Sequence, residues 1–428
     1  MSTRRPLYGW LTAEAVSLTG TRISMIALPW FVLTTTGSPT LTGLVALAEM
    51  APMVVLKVLG GPVIDRLGAR RVSIVCDVGS LVVVGLVPLL HLAGALSFPV
   101  LLALVAVAGA LRGPGDAAKH ALIPTLVAQA GVPMERATGL ASTVERTASM
   151  LGAALAGGLV ALVGPTYALA VDAASFGVAA VVLAWSTRSL VSTGSTSVSP
   201  GASVSPGYLS QLREGWAFLR GDRVLLGIAV MVALTNLLDV AWFSVMVPVW
   251  AKEYGGGAAA IGILFAVFSG ASVLGATCAA TWGHRLPRHR TYLLAFLVGG
   301  APRYVATAFD IPFAWVLAVA VVGGFAAGFI NPVLGAVVFE RIPAPLVGRV
   351  TSLSTSMAFA LMPFGGLLGG GLIAAFGLPA AMLAVGAAYL AVTVLPALDA
   401  RWREMDRRPA TTTDAAEETV SETSPQPA

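Results

Sequence analysis

Charge is what this sequence has least of. Asp, Glu, Lys and Arg make up 11% of its 428 residues, 57% are apolar, and the mean hydropathy is +0.85. A soluble domain carries roughly a quarter charged residues, so the deficit excludes an ordinary water-soluble fold. The two cysteines, Cys76 and Cys278, form no disulfide framework. The three lysines read Lys57-Val58, Lys119-His120 and Lys252-Glu253. A G-K-[ST] phosphate loop is therefore absent, and ATP is not the direct energy source within this chain. Four histidines, His91, His120, His284 and His289, lie on separate segments without a cysteine or carboxylate at metal-ligand spacing. No metal, no cofactor and no enzymatic activity are expected. The formal charge of +5 could suggest nucleic acid. In so apolar a chain the basic residues report topology first, and no nucleic-acid partner is expected.

What is present is a series of long apolar runs. Breaks at charged or Gly/Pro-rich stretches leave room for about twelve spans of about 20 residues. They are expected at 9–34, 41–63, 72–93, 97–118, 143–163, 166–187, 224–249, 258–282, 291–310, 313–338, 351–375 and 378–398. Runs of this length exclude a porin-type barrel, whose strands are about ten residues and alternate strictly. The apolar stretch after Met1 to Leu7 is too long for a signal-peptide core and reads as the first span itself. With both termini cytoplasmic, 22 of the 26 Lys and Arg residues fall in inner segments. The loops at 35–40, 94–96, 164–165 and 376–377 have none. That asymmetry predicts an inner-membrane, multi-pass protein with both ends inside.

Residues 191–207, VSTGSTSVSPGASVSPG, form a Ser/Gly/Pro linker that divides the chain into two six-helix bundles, 1–190 and 223–398. Within the cytoplasmic connection 191–222, Leu209, Leu212, Trp216 and Leu219 share one helical face, as in an amphipathic helix lying on the membrane surface. The segment 399–428 is expected to be a disordered cytoplasmic tail, its 409–428 portion being rich in Thr, Glu, Ser and Pro.

Between the second and third spans stands Gly61-Pro-Val-Ile-Asp65-Arg66-Leu-Gly68-Ala-Arg70-Arg71. It resembles the loop signature G-x-L-a-D-r-x-G-r-r of the major facilitator superfamily, with Gly61, Asp65, Arg66, Gly68, Arg70 and Arg71 matching. Arg112 with Gly113 and Gly115 is similar to the R-x-x-q-G motif of the fourth span. Ala121 to Pro124, Val171 to Phe176, Asn331-Pro332 and Glu340 to Val350 resemble the drug-efflux and secretion-effector branch. The resemblance implies an all-α fold of two pseudo-symmetric six-helix bundles, a loop that switches the two halves between conformations, and a span-four arginine implicated in proton coupling. The antiporter signature of span five is degenerate, with Ala153 where proline is expected, and the second-half loop signature has lost its acid at Gly283 to Arg288.

Ionisable groups at membrane depth cost several kcal/mol and are functional candidates by default. Arg22, Glu49, Asp239 and Arg303 fall near mid-depth at about 1.5 Å per residue, one acid and one base per half. Glu14 and Asp77 lie nearer the cytoplasmic side, at a depth Arg112 can share. Expected pairs are Arg22 with Glu49, Asp239 with Arg303, and Asp77 with Arg112. As ion pairs they fix packing. A carboxyl in low dielectric can also exchange a proton, which makes Glu49 and Asp239 coupling candidates. On an α-helix Asp239, Trp242, Phe243 and Met246 share a face, with Asn236 one turn earlier, a surface suited to lipophilic cations. Gly152, Gly157 and Gly158 in span five, and Gly365, Gly366, Gly369, Gly370 and Gly371 in span eleven, permit close helix approach.

Together these features predict a monomeric secondary transporter in the lipid bilayer, exporting a small amphipathic or cationic molecule by alternating access with protons as coupling ion. An exporter of an endogenous metabolite or siderophore shares every feature of the fold. A non-transporting receptor would use the linker and tail for interaction.

Overall fold

The computed structural model describes residues 4–188, 208–343 and 346–406. The linker 191–207 and the tail from residue 407 lie outside the described residues. Every regular element among the described residues is helical. The first half consists of α1 (Arg5–Thr36), α2 (Pro39–Leu59), the short α3 (Gly61–Leu67), α4 (Ala69–Leu92), α5 (Phe98–Ala121), the short α6 (Ile123–Ala130) and α7 (Met134–Ser186). After α8 (Tyr208–Gly221), the second half runs through α9 (Arg223–Ala241), α10 (Val247–Glu253), α11 (Gly257–Trp282), α12 (Arg288–Gly299), α13 (Ala301–Ala308), α14 (Phe313–Ala327), α15 (Ile330–Arg341), α16 (Val347–Ala360), α17 (Met362–Phe376) and α18 (Leu378–Leu398).

Local chemistry explains the boundaries. Helix α1 places Pro6 in its first turn, where a missing N–H costs nothing, and stops at Gly37 in the left-handed region. Ser38 caps α2 by accepting from the Leu41 N–H at 3.3 Å. Helix α7 carries two spans. Gly164 sits at φ 84°, ψ 162°, a conformation suited to glycine, and Pro165 starts the return. Ten helical stretches are long and apolar enough to cross a membrane. Counting the two arms of α7 separately and adding the rod of α12 and α13, broken at Gly300, brings the spans to twelve. Their outward sides are apolar, as Leu162, Val181 and Leu398 illustrate, which suits lipid.

Asp222 joins two tasks at the entry to the second half. It caps α9 through the N–H groups of Val224 and Leu225, and its carboxylate accepts from Arg341 at the end of α15. Arg341 also donates to Glu404, and Arg288 pairs with Glu340.

Two expectations need correction here. The disordered tail does not begin at 399. Ala400–Asp406 is a 3₁₀ helix whose Trp402 packs on Gly227 and on the Tyr292 ring, while the Asp406 carboxylate accepts from the His289 N–H. Helix α8 is also more than a surface float. Leu219 is fully buried with Leu225, Ile342 and Val350, whereas Trp216 remains exposed, so one expected face serves two surroundings. The side chains of Leu209 and Leu212 lie outside the described ones.

An even number of spans brings both described ends, Arg4 and Asp406, to one membrane face, here the terminal face. Close backbone approaches between the halves lie toward the opposite face. Gly43 and Gly366 meet across α2 and α17, and Gly157 meets Gly262 across α7 and α11. Gly370 abuts Pro39, and Lys252 Nζ donates to the Leu33 carbonyl at 3.1 Å. Toward the terminal face the halves diverge, and a cavity opens between them.

Candidate functional site

The central cavity has a volume of about 370 Å³, within the range of small-molecule sites. The first half contributes Arg22 and Met25 from α1, and Ser149 and Ala153 from α7. The second half contributes Asn236, Asp239, Trp242 and Phe243, then Phe265 and Phe268 from α11, and Arg303 from α13. A second chamber of about 310 Å³ shares Ser149, Phe268 and Ser269 with the first. It continues toward the terminal face past Ser142, Glu145 and Arg146 on one side and Ser272 and Asn331 on the other.

Arg303 and Asp239 form the expected ion pair. The Asp239 side chain keeps 34% exposure, which turns the acid toward the cavity. The guanidinium is enclosed by rings, with its Cζ 4.7 Å from the Trp242 centroid, 5.1 Å from Tyr304 and 5.6 Å from Tyr389. Such cation–π contacts hold an arginine that hydrocarbon surroundings would otherwise penalise. Trp242 is fixed in turn, its indole N–H donating to Thr307 Oγ1 at 3.2 Å. The break at Gly300 has a packing reason, since a Cβ there would run into the Tyr389 ring.

Trp242–Met246 is a π-helical turn, closed by the Val247 N–H to the Trp242 carbonyl. The wider turn changes the register that an ideal helix would give. Asp239, Trp242 and Phe243 therefore line the cavity, whereas Met246 is fully buried in the core and does not. Asn236 lines the cavity and donates its amide N–H to the Ala358 carbonyl at 3.0 Å, tying α9 to α16.

The first half rearranges the other two expected pairs. Arg112 binds Glu49, at 2.9 Å, and Thr21 Oγ1, at 3.0 Å, not Asp77. Asp77 is paired with Lys119 at 2.9 Å. Lys119, counted by sequence among the inner-loop cations, lies in the last turn of α5, buried, with its ammonium also donating to Ser17 Oγ at 3.0 Å. Glu14 is buried near this group, and Glu14 Oε2 and Asp77 Oδ2 have no hydrogen-bond partner among the described residues. Arg22 has no carboxylate partner among the described residues. Its Nη1 reaches the Met25 sulfur at 3.3 Å and its Nε is unpartnered.

Asp172, which the sequence offers only within the Val171 to Phe176 resemblance and not among the charges at membrane depth, is a fully buried acid that accepts from the Ser24 hydroxyl behind the Glu49–Arg112 pair. The signal was available, since an acid in the middle of the sixth span deserves the same suspicion as Glu49. Tyr304, Tyr389 and Thr307 carried no such signal. Aromatic and hydroxyl residues are common in spans, and only packing brings these three around Arg303 and Trp242.

In the loop signature, Gly68 adopts φ 84° between α3 and α4 and so permits the tight reversal. Arg70 clamps the end of α7 through the Thr187 hydroxyl and the Ala184 carbonyl, both at 2.9 Å. Gly61, Asp65, Arg66 and Arg71 are exposed. Asp65 makes no ion pair among the described residues, so in this conformation the loop does not join the halves. Of the glycines expected at helix contacts, Gly157, Gly366 and Gly370 lie between the halves. Gly365 and Gly369 pack on α9 and Gly152 on Arg22, while Gly158 and Gly371 face open space.

Two helical bundles around a charged, aromatic-walled cavity, open at one membrane face and sealed at the other, define the architecture of a multi-pass membrane transporter. The chain belongs to the Major Facilitator Superfamily, whose family model matches residues 10–238 and 229–426. It is 30% identical over 416 residues to the multidrug efflux pump Tap of Mycobacterium tuberculosis, covering 95% of this chain and 96% of that one. The Tap pump of Mycolicibacterium fortuitum is 29% identical, with 94% and 98% covered. Among solved structures, the nucleoside transporter NupG superposes with a TM-score of 0.73 over 96% of this chain and all of its own, at 12% identity. A bacterial homologue of the iron transporter ferroportin in an inward-facing state gives 0.67, over 93% and 98%, at 16% identity. These two likenesses speak for the fold alone.

Proposed function

We propose that this protein is a secondary active exporter of small amphipathic compounds, of the multidrug type, working by alternating access with protons as the counter-ion. The observation that carries the reading is the cavity itself, lined by both halves, open toward the terminal face and sealed at the other by apposed glycines. The similarity to Tap pumps over nearly the whole chain supports export of chemically varied compounds. The bias of basic residues toward the terminal face makes that face cytoplasmic, with both ends inside the inner membrane. The cavity then loads from the cytoplasm, and the proposed working unit is one chain in the bilayer. Its role is vectorial transport, without a chemical step.

Proton coupling draws on the charge clusters. In the first half, Glu49 and Asp172 face one base, Arg112, and Glu14 and Asp77 face one base, Lys119. Each cluster has an acid in excess, and a buried acid in excess is a proton site. Asp239 lines the cavity while Arg303 holds it. The test is flux of a fluorescent amphiphile in proteoliposomes under an imposed pH gradient, with and without a protonophore. Export that follows the gradient and collapses with the protonophore is expected. Gradient-independent equilibration would remove the coupling, and absence of any exchange would remove transport.

A further inference from the structure

The charges of the central cavity do not balance. Asp239 is engaged by Arg303, whose guanidinium is itself boxed by Trp242, Tyr304 and Tyr389. Arg22, on the opposite wall, has among the described residues one thioether contact at 3.3 Å and an Nε without a hydrogen-bond partner. In the adjoining chamber, Glu145 acts on Arg22 through space without forming an ion pair with it, and Arg146 stands beside Glu145. Across the two chambers three cations, Arg22, Arg146 and Arg303, face two anions, Asp239 and Glu145, a surplus of one positive charge. A guanidinium in low dielectric is a strong donor lacking its natural acceptor, and a ligand that brings the acceptor gains what the protein does not supply. Around it lie Trp242, Phe243, Phe265 and Phe268, flat apolar surface for a ring system. Asn236 has spent an N–H on Ala358, which leaves its oxygen to accept from a second ligand group.

We infer that the central cavity selects aromatic amphiphiles bearing an acidic group, organic anions or zwitterions, with Arg22 as the residue that receives the carboxylate or sulfonate. The inference rests on the transporter reading of the same cavity and reverses the expectation of lipophilic cations drawn from Asp239. Asp239 then serves to hold Arg303 and the aromatic box.

A matched pair of probes tests it with the full-length protein in nanodiscs: anthracene-9-carboxylate, and the same ring carrying a methylene-trimethylammonium. Binding is read by tryptophan quenching and export by flux in proteoliposomes. The wild type should favour the carboxylate by about tenfold or more, the scale of one charge-assisted hydrogen bond. Arg22→Gln should abolish that preference while leaving binding of the ammonium probe unchanged or tighter, and Arg22→Lys should retain part of it. Ser149→Asp, which adds a carboxylate to the same cavity, should reduce carboxylate binding with Arg22 intact, and this arm stands even where Arg22→Gln is recovered poorly. A wild-type preference for the ammonium, or a carboxylate preference that survives both Arg22→Gln and Ser149→Asp, overturns the inference. Export of the ammonium probe alone would overturn it while leaving the transporter reading intact. Failure to exchange either probe or any other amphiphile would overturn the transporter reading instead.

Discussion

Gly157 of α7 and Gly262 of α11 meet backbone to backbone, so close that a Cβ on either would strike the other helix. With Gly43 against Gly366, this contact seals the cavity away from the terminal face. Helices meeting through Cα hydrogens have no interlocking side chains to disengage, which suits surfaces that must separate in each transport cycle.

Replacing Gly157 by Val should therefore act on the conformational equilibrium more than on the fold of either half. Overpacking costs about 1–3 kcal/mol, here paid only by the state closed on that side. Such a bias moves a two-state population by about fivefold to more than a hundredfold. Labelling of a cysteine introduced at Leu41 by a membrane-impermeant maleimide should accelerate accordingly, and unchanged labelling would contradict the sealing role.

Lys119 makes a different kind of prediction. Its ammonium serves Asp77 and Ser17, with Glu14 buried beside them. Lys119→Met strands buried carboxylates, and breaking one side of a buried pair costs about 3–5 kcal/mol. The apparent melting temperature in detergent should fall sharply, and the double variant Lys119→Met, Asp77→Asn should recover part of the loss. A double variant less stable than the single one would refute the pairing.

Glu49 tests the coupling. Glu49→Gln keeps a hydrogen-bond acceptor for Arg112 at 2.9 Å but removes the titratable group. Substrate binding should persist with its pH dependence flattened, and efflux should no longer follow an imposed proton gradient. Retained gradient sensitivity would transfer the role to Asp172 or to the Glu14–Asp77 cluster.

Asp65 stands exposed and makes no ion pair among the described residues. If the loop signature locks the halves when the terminal face closes, Asp65→Asn should leave ligand affinity in the open form unchanged. Its transport rate should fall about tenfold, a typical coupling energy between sites. A parallel loss of affinity would point to a structural role within the first half.

Much of the architecture was legible in the residues. Long apolar runs, the Gly164-Pro165 break and the distribution of arginines led to two sets of six spans, because a bilayer requires helices of that length with satisfied backbones. The depth of Arg22, Glu49, Asp239 and Arg303 could be counted along each span. Their partners could not. Counting along a helix yields height but not which neighbour a side chain faces, so Arg112 was assigned to Asp77 although it binds Glu49. Lys119 falls outside the expected span 97–118 because that span stops three residues short of the end of α5 at Ala121. Met246 left the cavity face because a π turn, which no residue pattern announced, shifted the register at Trp242.

By itself, then, the sequence determined the solvent, the number of spans, the family signature and the heights of the buried charges, all of which follow from composition and distance along the chain. Only the tertiary structure decided which charges neutralise one another and which is left over. That depends on the azimuth of each helix and on the glycine contacts that set the halves together. The result is an Arg303 that is paired and boxed, and an Arg22 that faces the cavity with no ion pair among the described residues.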